Sequence, residues 1–420
     1  MRIAVIGGGI SGNTVAYYLH KDHDLTLFEA GDHLGGHTHT HTVEWGDETL
    51  SIDTGFIVFN DRTYPLYNGL LDRLGVSGQK TEMSFSVKNL KTGLEYNGHN
   101  LNTLFAQRSN IFSPRFYLMI KDILRFNRQA RELSRSMADD LSLGELLKKE
   151  GYGEQFIHSY ILPMGAAIWS TDPDTMLSFP ARFFVRFFDN HGLLDLRNRP
   201  QWYVVKGGSA RYVEVMSEGY KQNVHLNTPI EWVRRELRQV VVKPLNQPEQ
   251  RFDKVFMATH SNQSLAILGQ QATPKERQVL SSIPYQDNEV VLHTDASLMP
   301  RNRLAWAAWN YQIAADYAAS GQQRATVTYH MNCLQGLDSK QDFFVTLNAT
   351  EQIDPDKIIK RLNYAHPVFT PEGVNFQDQQ ADLNSGPILY CGAYWGKGFH
   401  EDGVASAMAA IRHMQEHADA

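Results

Sequence analysis

Residues 2–12 read Arg2-Ile3-Ala4-Val5-Ile6-Gly7-Gly8-Gly9-Ile10-Ser11-Gly12, an apolar run that passes without a break into glycines. Such a run predicts a short buried β-strand. An apolar stretch of helical character follows over residues 14–19, and Leu25-Thr26-Leu27-Phe28 predicts a second strand ending on Glu29. Strand, G-x-G-x-x-G turn, helix, strand and acid in this order form a β-α-β dinucleotide fingerprint. Each glycine has its own physical reason. Gly7 permits the tight turn, Gly9 lets backbone approach a pyrophosphate, and Gly12 lets the helix pack closely on the sheet. The helix start, which carries Ser11, offers free N–H groups and a positive dipole end to phosphates. Glu29 lies where a carboxylate can accept hydrogen bonds from a ribose.

The next segment is Ala30-Gly31-Asp32-His33-Leu34-Gly35-Gly36-His37-Thr38. A second glycine pair here serves the longer FAD molecule, which needs more backbone close to it beyond the pyrophosphate. This segment resembles the E-A-x-x-x-x-G-G-[RK]-x-x-T stretch of the flavin-dependent amine oxidase and phytoene desaturase superfamily. The end of the chain is similar as well. Ile388-Leu389-Tyr390-Cys391-Gly392-Ala393 reads as a strand entering a turn, and His400-Glu401-Asp402-Gly403-Val404-Ala405 as a loop entering a helix that runs to about His413. The resemblance places Gly392 in the cofactor site, and Gly403 and Val404 at the pyrimidine end of the isoalloxazine ring. It assigns Ile230 to an adenine-side strand and the stretch from Asp253 to Thr259 to a returning sheet strand. A narrower likeness is carried by Asp53-Thr54-Gly55-Phe56-Ile57-Val58-Phe59-Asn60, with Gly55 and Phe56 near the cofactor. Leu162-Pro163-Met164-Gly165-Ala166-Ala167-Ile168-Trp169-Ser170 and Phe188-Asp189-Asn190-His191-Gly192 share it. These resemble bacterial FAD-binding proteins associated with cyclopropane-fatty-acyl synthase-like methyltransferases, and fused to them in plants. The resemblance implies non-covalent FAD and a methyltransferase partner.

A chain of 420 residues with 42% hydrophobic and 20% charged residues is globular and long enough for two cores. A formal charge of −6 gives no reason to expect nucleic acid. Two cysteines, Cys333 and Cys391, make no disulfide framework. The first strand is predicted to begin at residue 2, so no leader is expected, and no apolar run approaches the about twenty residues that span a bilayer. The expected address is the cytoplasm, with or without contact to the inner membrane face.

Flavin motifs at both ends and in the middle predict an α/β fold: a discontinuous Rossmann-type FAD-binding domain (1–60, 200–265, 385–420) with an inserted α+β substrate domain (61–199, 266–384). Ser113-Pro114 and Ser142 read as helix starts, the latter helix ending near Gly151. Glu289 to His293, Arg324 to Tyr329 and Phe343 to Leu347 read as strands. The cleft between the domains is the natural substrate site.

What the protein must add to a flavin is a substrate bond held against the ring. Trp395-Gly396-Lys397-Gly398-Phe399-His400, just before the last helix, is the candidate catalytic loop. There Lys397 or His400 can move a proton, and Trp395 can line the ring. Three departures from the amine oxidases stand out. Val404 takes the place of an aromatic residue that forms one wall of an amine cage. Ala393 and Tyr394 take the region of an acidic residue, and His37 replaces the usual arginine or lysine. His37, His39 and His41 alternate along one strand face, but nothing nearby completes a metal set, so no metal is expected. Phe179, Phe183, Phe184, Phe187 and Phe188 near Trp169, with Trp306 and Trp309, read either as core or as an apolar tunnel. Lys121, Arg125, Arg128, Arg131 and Arg135 share one helical face of the 114–137 segment, which is either solvated or docks on anionic lipid. The expectation is an FAD-dependent oxidoreductase acting on an apolar, lipid-like substrate. The alternative is a flavin-binding protein without net redox turnover: an isomerase, or a partner of a lipid-modifying methyltransferase.

Overall fold

The computed structural model describes residues 1–138, 140–237, 239–315 and 324–416. Arg2–Ile6 is the centre of a five-stranded sheet in the order Val224–His225, Asp24–Phe28, Arg2–Ile6, Lys254–Met257, Ile388–Tyr390. Every pairing is parallel. Strands buried on both faces must be apolar throughout, and Ile3, Ala4, Val5 and Ile6 are all buried. One face packs on the helices Ile10–Leu19 and His400–Glu416 through Val15, Ala16, Ala407, Ala410 and Ile411. The other packs on a three-stranded antiparallel sheet, Ile230–Arg235, Val240–Pro244 and Gln250–Phe252. The first helix begins at Ile10, four residues ahead of the apolar stretch that predicts it, because the last glycine of the turn already belongs to its first turn.

A seven-stranded sheet is built from two distant stretches of chain. Its order is Ile358–Pro367, Tyr285–His293, Phe344–Leu347, Thr326–His330, Trp309–Ile313, Phe85–Asn89, Glu95–Asn97. Trp309–Ile313 pairs in parallel with Phe85–Asn89, and the other pairings are antiparallel. Helices Pro114–Ser136, Leu143–Lys149, Leu162–Trp169 and Ala181–Asn190 share the largest apolar core with it. The helix starts have the caps their sequences predict. The Ser113 hydroxyl accepts from the Phe116 N–H, and Ser142 and Glu145 close a capping box.

On the Pro114–Ser136 helix, Phe116, Met119, Phe126 and Ala130 are buried. The basic face is narrower than a helical wheel makes it. Arg131 pairs with Asp189 and Asp195 at 2.5 and 2.8 Å, and Arg125 pairs with Asp122 at 3.2 Å and lies over the Tyr152 ring. Lys121, Arg128 and Arg135 remain exposed. Among the described residues no helix is long and apolar enough to cross a membrane.

Candidate functional site

The two glycine segments lie side by side. The Gly35 N–H donates to the Gly8 carbonyl at 2.8 Å, and Gly9 and Gly35 form a parallel bridge. Gly7 has φ +104 and Gly35 φ +123, the left-handed region that favours glycine. A Cβ on Gly12 would stand 1.9 Å from the Gly7 carbonyl oxygen, so the helix sits directly on the strand end. Gly9 is different. Its backbone is ordinary (φ −72, ψ −174), and a Cβ there would meet nothing within 4 Å. The protein itself gives no reason for glycine at this position; a group seated on it does. The amides of the first helical turn lack intrahelical acceptors, the arrangement that receives a phosphate. The Glu29 carboxylate accepts from the N–H groups of Gly8 (2.6 Å) and Gly31 (2.7 Å), which fixes it beside the exposed Ala30. Its oxygens keep acceptor capacity for ribose hydroxyls.

The last helix closes on these segments. The Ser11 hydroxyl donates to the Gly403 carbonyl at 3.0 Å, and a Cβ on Gly403 would meet Ile10 at 2.6 Å. His400 is buried, and its Nε2 lies 2.9 Å from Thr38 Oγ1 and 3.1 Å from the Tyr212 hydroxyl. Its ring stacks on Phe56 at 3.4 Å. Burial pushes the imidazole far below its ordinary pKa, so it is neutral and clamps the helix start to the 35–38 segment. The Gly392 N–H donates to Ser406 Oγ at 2.9 Å. A Cβ on Gly55 would stand 2.0 Å from the His37 carbonyl oxygen. Val404 is buried in a cluster with Ile10, Phe59 and Tyr67. Ile230 is half-buried at the start of its strand, whose approach is tied to Glu29 by the Thr228 N–H donating to the Glu29 carbonyl at 2.8 Å.

The catalytic-loop candidates separate. Trp395 is buried in the core with Tyr394, Tyr390 and Met257. Lys397 is half-buried, and its carbonyl accepts from Trp169 Nε1 at 3.4 Å. Burial lowers its ammonium pKa, while the Asp402 charge opposes that shift. Asp402 accepts from the Phe399 N–H at 2.9 Å and folds over Gly396, where a Cβ would meet its Oδ1 at 2.2 Å. Burial pushes the Asp402 carboxyl up to about 6. Glu401 accepts from the N–H groups of Leu66 (3.0 Å) and Tyr67 (2.9 Å), capping a second helix, Pro65–Leu74.

The alternating histidines also part. His39 stacks with His33 (4.0 Å) and lies tilted against His41 (4.1 Å). His37 lies instead with His366 (5.3 Å), His260 (5.7 Å) and Tyr364 (5.2 Å). Its Nε2 is enclosed and has no hydrogen-bond partner, while the ring is bonded to the Ala365 backbone. A buried polar atom without a partner is costly. Together with the open Gly9 it shows that these residues fit an added polar group along the glycine segments. Residues 7–12, Glu29, residues 35–38 and the 400–404 helix start would hold FAD, which when bound supplies a hydride acceptor.

Sequence reading misses Tyr212, His260, Tyr364 and His366, and a buried carboxylate, Asp53. Asp53 accepts from the Ser209 N–H (2.9 Å) and hydroxyl (2.8 Å) and from Gln335 Nε2 (2.9 Å), and burial pushes it up to about 6. The chain does carry one signal for this corner: Gly207-Gly208, both at positive φ, precede the helix Ala210–Ser217 as a third glycine turn. Burial raises both thiols, Cys391 to about 12 and Cys333 to about 11, so neither is a ready nucleophile.

The histidines set an acid limit. Burial lowers His260 and His366 to about 3, and His191 and His293 to about 4. Below their ordinary 6.5 the unfolded chain takes up protons that the folded chain refuses, so stability is lost as pH falls from about 6.5 toward those values. Each fully buried ring costs about 2 kcal/mol at about pH 5. Asp53 and Asp402, raised to about 6, act oppositely, gaining stability as pH falls through 6. The histidines outnumber them. The thermal midpoint of the flavoprotein should therefore drop by about 5 °C or more between about pH 7 and 5. A flat or rising midpoint in scanning fluorimetry would refute this balance.

Residues 10–323 match the family described as flavin containing amine oxidoreductase. Tryptophan 2-monooxygenase of Allorhizobium ampelinum is 34% identical over 103 residues, which is 24% of this chain and 14% of that protein's length. A redesigned putrescine oxidase has the same fold at TM-score 0.71 and 15% identity, with 99% of each chain covered. So does a fatty acid isomerase of P. acnes that produces CLA, at TM-score 0.67 and 17% identity, with 98% of each chain covered.

Proposed function

The chain belongs to the flavin-containing amine oxidoreductase family, an FAD-dependent oxidoreductase, and we propose that its substrate is an apolar, lipid-like molecule rather than a simple amine. The observation that carries this reading is the aromatic group around the loop before the last helix. Phe187 stacks on Phe399 at 5.1 Å and Trp169 lies 4.7 Å from Phe187. Phe183 lies 5.0 Å from Phe369, which packs on Gly398. Phe183 and Phe399 are only partly buried, so an apolar surface flanks Lys397. Val404 is packed into the core and supplies no aromatic wall for an amine. We place the substrate between a cofactor unit (1–60, 200–265, 385–420) and a substrate unit (61–199, 266–384). In this reading Lys397, with its lowered pKa, holds or moves a proton, and the phenylalanines orient the chain and exclude water.

The test is anaerobic mixing of the yellow flavoprotein with long-chain fatty acids or acyl esters, and separately with mono- and polyamines. Flavin bleaching by an acyl compound is expected, with amine turnover well below about 1 per second. Amine turnover at or above that rate would sink the proposal. An acyl compound that perturbs the flavin spectrum without bleaching, and returns as an isomer, would move the reading to an isomerase that keeps the lipid substrate and loses net redox turnover.

A further inference from the structure

The short helix Leu101–Leu104, the turn Arg108–Phe112 and the first turns of Pro114–Ser136 form one platform at the end of the seven-stranded sheet. Its inner side is anchored. Phe105 packs on Phe116, and Phe116 on Tyr96. Asn302 Nδ2 donates to the Ala106 carbonyl at 2.5 Å, and Asn100 with Thr103 closes a capping box. Large apolar side chains of the same stretch face water: Phe112 is 86% exposed, Leu101 76% and Leu118 59%, with Tyr117 and Ile111 also exposed. Single exposed apolar residues are ordinary; several large ones held on one ordered platform mark a docking surface.

Charge identifies what docks. No acidic residue lies between Glu95 and Asp122, whereas Arg108, Arg115 and Lys121 do, and all three are exposed. Among the described residues Arg108 bonds neutral oxygens, those of Asn102 and Phe105. Arg125 and Arg131, farther along the helix, are neutralised by carboxylates, so the unpaired charge gathers beside the exposed aromatic and leucine side chains. Apolar tips rimmed by unpaired cations match the boundary between anionic headgroups and acyl chains. We propose that this platform docks the protein on an anionic lipid surface, with Phe112 and Leu118 entering the acyl boundary and Arg115 and Lys121 at the headgroups. The proposal stands independently of which molecule the flavin site takes.

The test is flotation of the FAD-loaded protein with vesicles of phosphatidylcholine alone or mixed with phosphatidylglycerol. Binding to the mixed vesicles at about 0.05 M salt, lost at about 0.5 M, is expected. A Phe112→Ser/Leu118→Ser variant and an Arg115→Glu/Lys121→Glu variant should each bind more weakly by about thirtyfold or more, with flavin content and thermal midpoint unchanged. Lys148→Glu/Lys149→Glu, an exposed basic pair on another helix, should bind as the wild type does. Wild-type protein that ignores phosphatidylglycerol at low salt would overturn the proposal and leave the platform to a protein partner. So would full binding by the Phe112→Ser/Leu118→Ser variant.

Discussion

Gly9→Val should yield a folded protein without colour. The strand Arg2–Ile6 delivers the chain to the helix start, and Gly9 stands there with extended backbone geometry that any residue adopts. No protein atom lies within 4 Å of where its Cβ would be. Valine therefore fits the polypeptide, at the cost only of a poorer helix cap, about 1 kcal/mol. Its methyl groups would occupy the ground over which a pyrophosphate must pass to reach the helix amides. Flavin affinity should fall by about a hundredfold or more, enough to leave the purified variant colourless. Its circular dichroism and thermal midpoint should match those of wild-type protein stripped of flavin. A yellow variant with wild-type flavin content would mean that the phosphate path lies elsewhere.

This contrast shows which parts of the site are legible in sequence. Residues 2–12, Glu29 and residues 35–38 are local: strand, turn and helix are consecutive, so the spacing of Gly7, Gly9 and Gly12 is read directly from the chain. His260, Tyr364 and His366 have no such signal, because they meet His37 only after two distant strands have taken their places. In sequence Asp53 is only the first residue of the 53–60 motif; its partners Ser209 and Gln335, 156 and 282 residues away, close on it only in the fold. The same reason limits the helical wheel. Periodicity groups Lys121, Arg125, Arg128, Arg131 and Arg135 on one face of Pro114–Ser136, but Arg131 leaves the solvated group because its carboxylates are 58 and 64 residues farther on. Loop composition is equally blind to Trp395, which stands two residues from Lys397 yet turns into the core under the parallel sheet. Spacing along one element reports which side chains share a face; what that face meets is decided by chain it cannot see.

Gly12→Ala should cost the fold that Gly9→Val preserves, although it adds only one carbon. The new Cβ would stand 1.9 Å from the Gly7 carbonyl oxygen and 3.0 Å from its carbon, with Ala258 Cβ at 3.3 Å. These are backbone and strand-end atoms, so no rotamer change relieves the overlap. The helix Ile10–Leu19 must lift off the sheet, and its seat against the last helix is disturbed with it. Ile10 and Ser11 would part from Gly403, whose own missing Cβ records how closely the two helices approach. Helix displacement also pulls at Val15, Ala16, Ala407 and Ile411, the apolar layer on that sheet face. Overpacking against an unyielding neighbour costs about 3 kcal/mol, and the coupled loss of the helix–helix contact adds to it. We expect a thermal midpoint lower by about 10 °C, or loss of soluble protein, with flavin lost as a consequence of unfolding. Thermal melts of the flavin-free forms separate the two glycines: Gly9→Val should melt with the wild type, and Gly12→Ala well below it. A Gly12→Ala protein that melts within about 2 °C of wild type and keeps its flavin would show that the strand–helix contact is slacker than its geometry, and that close packing is not what glycine provides at this position.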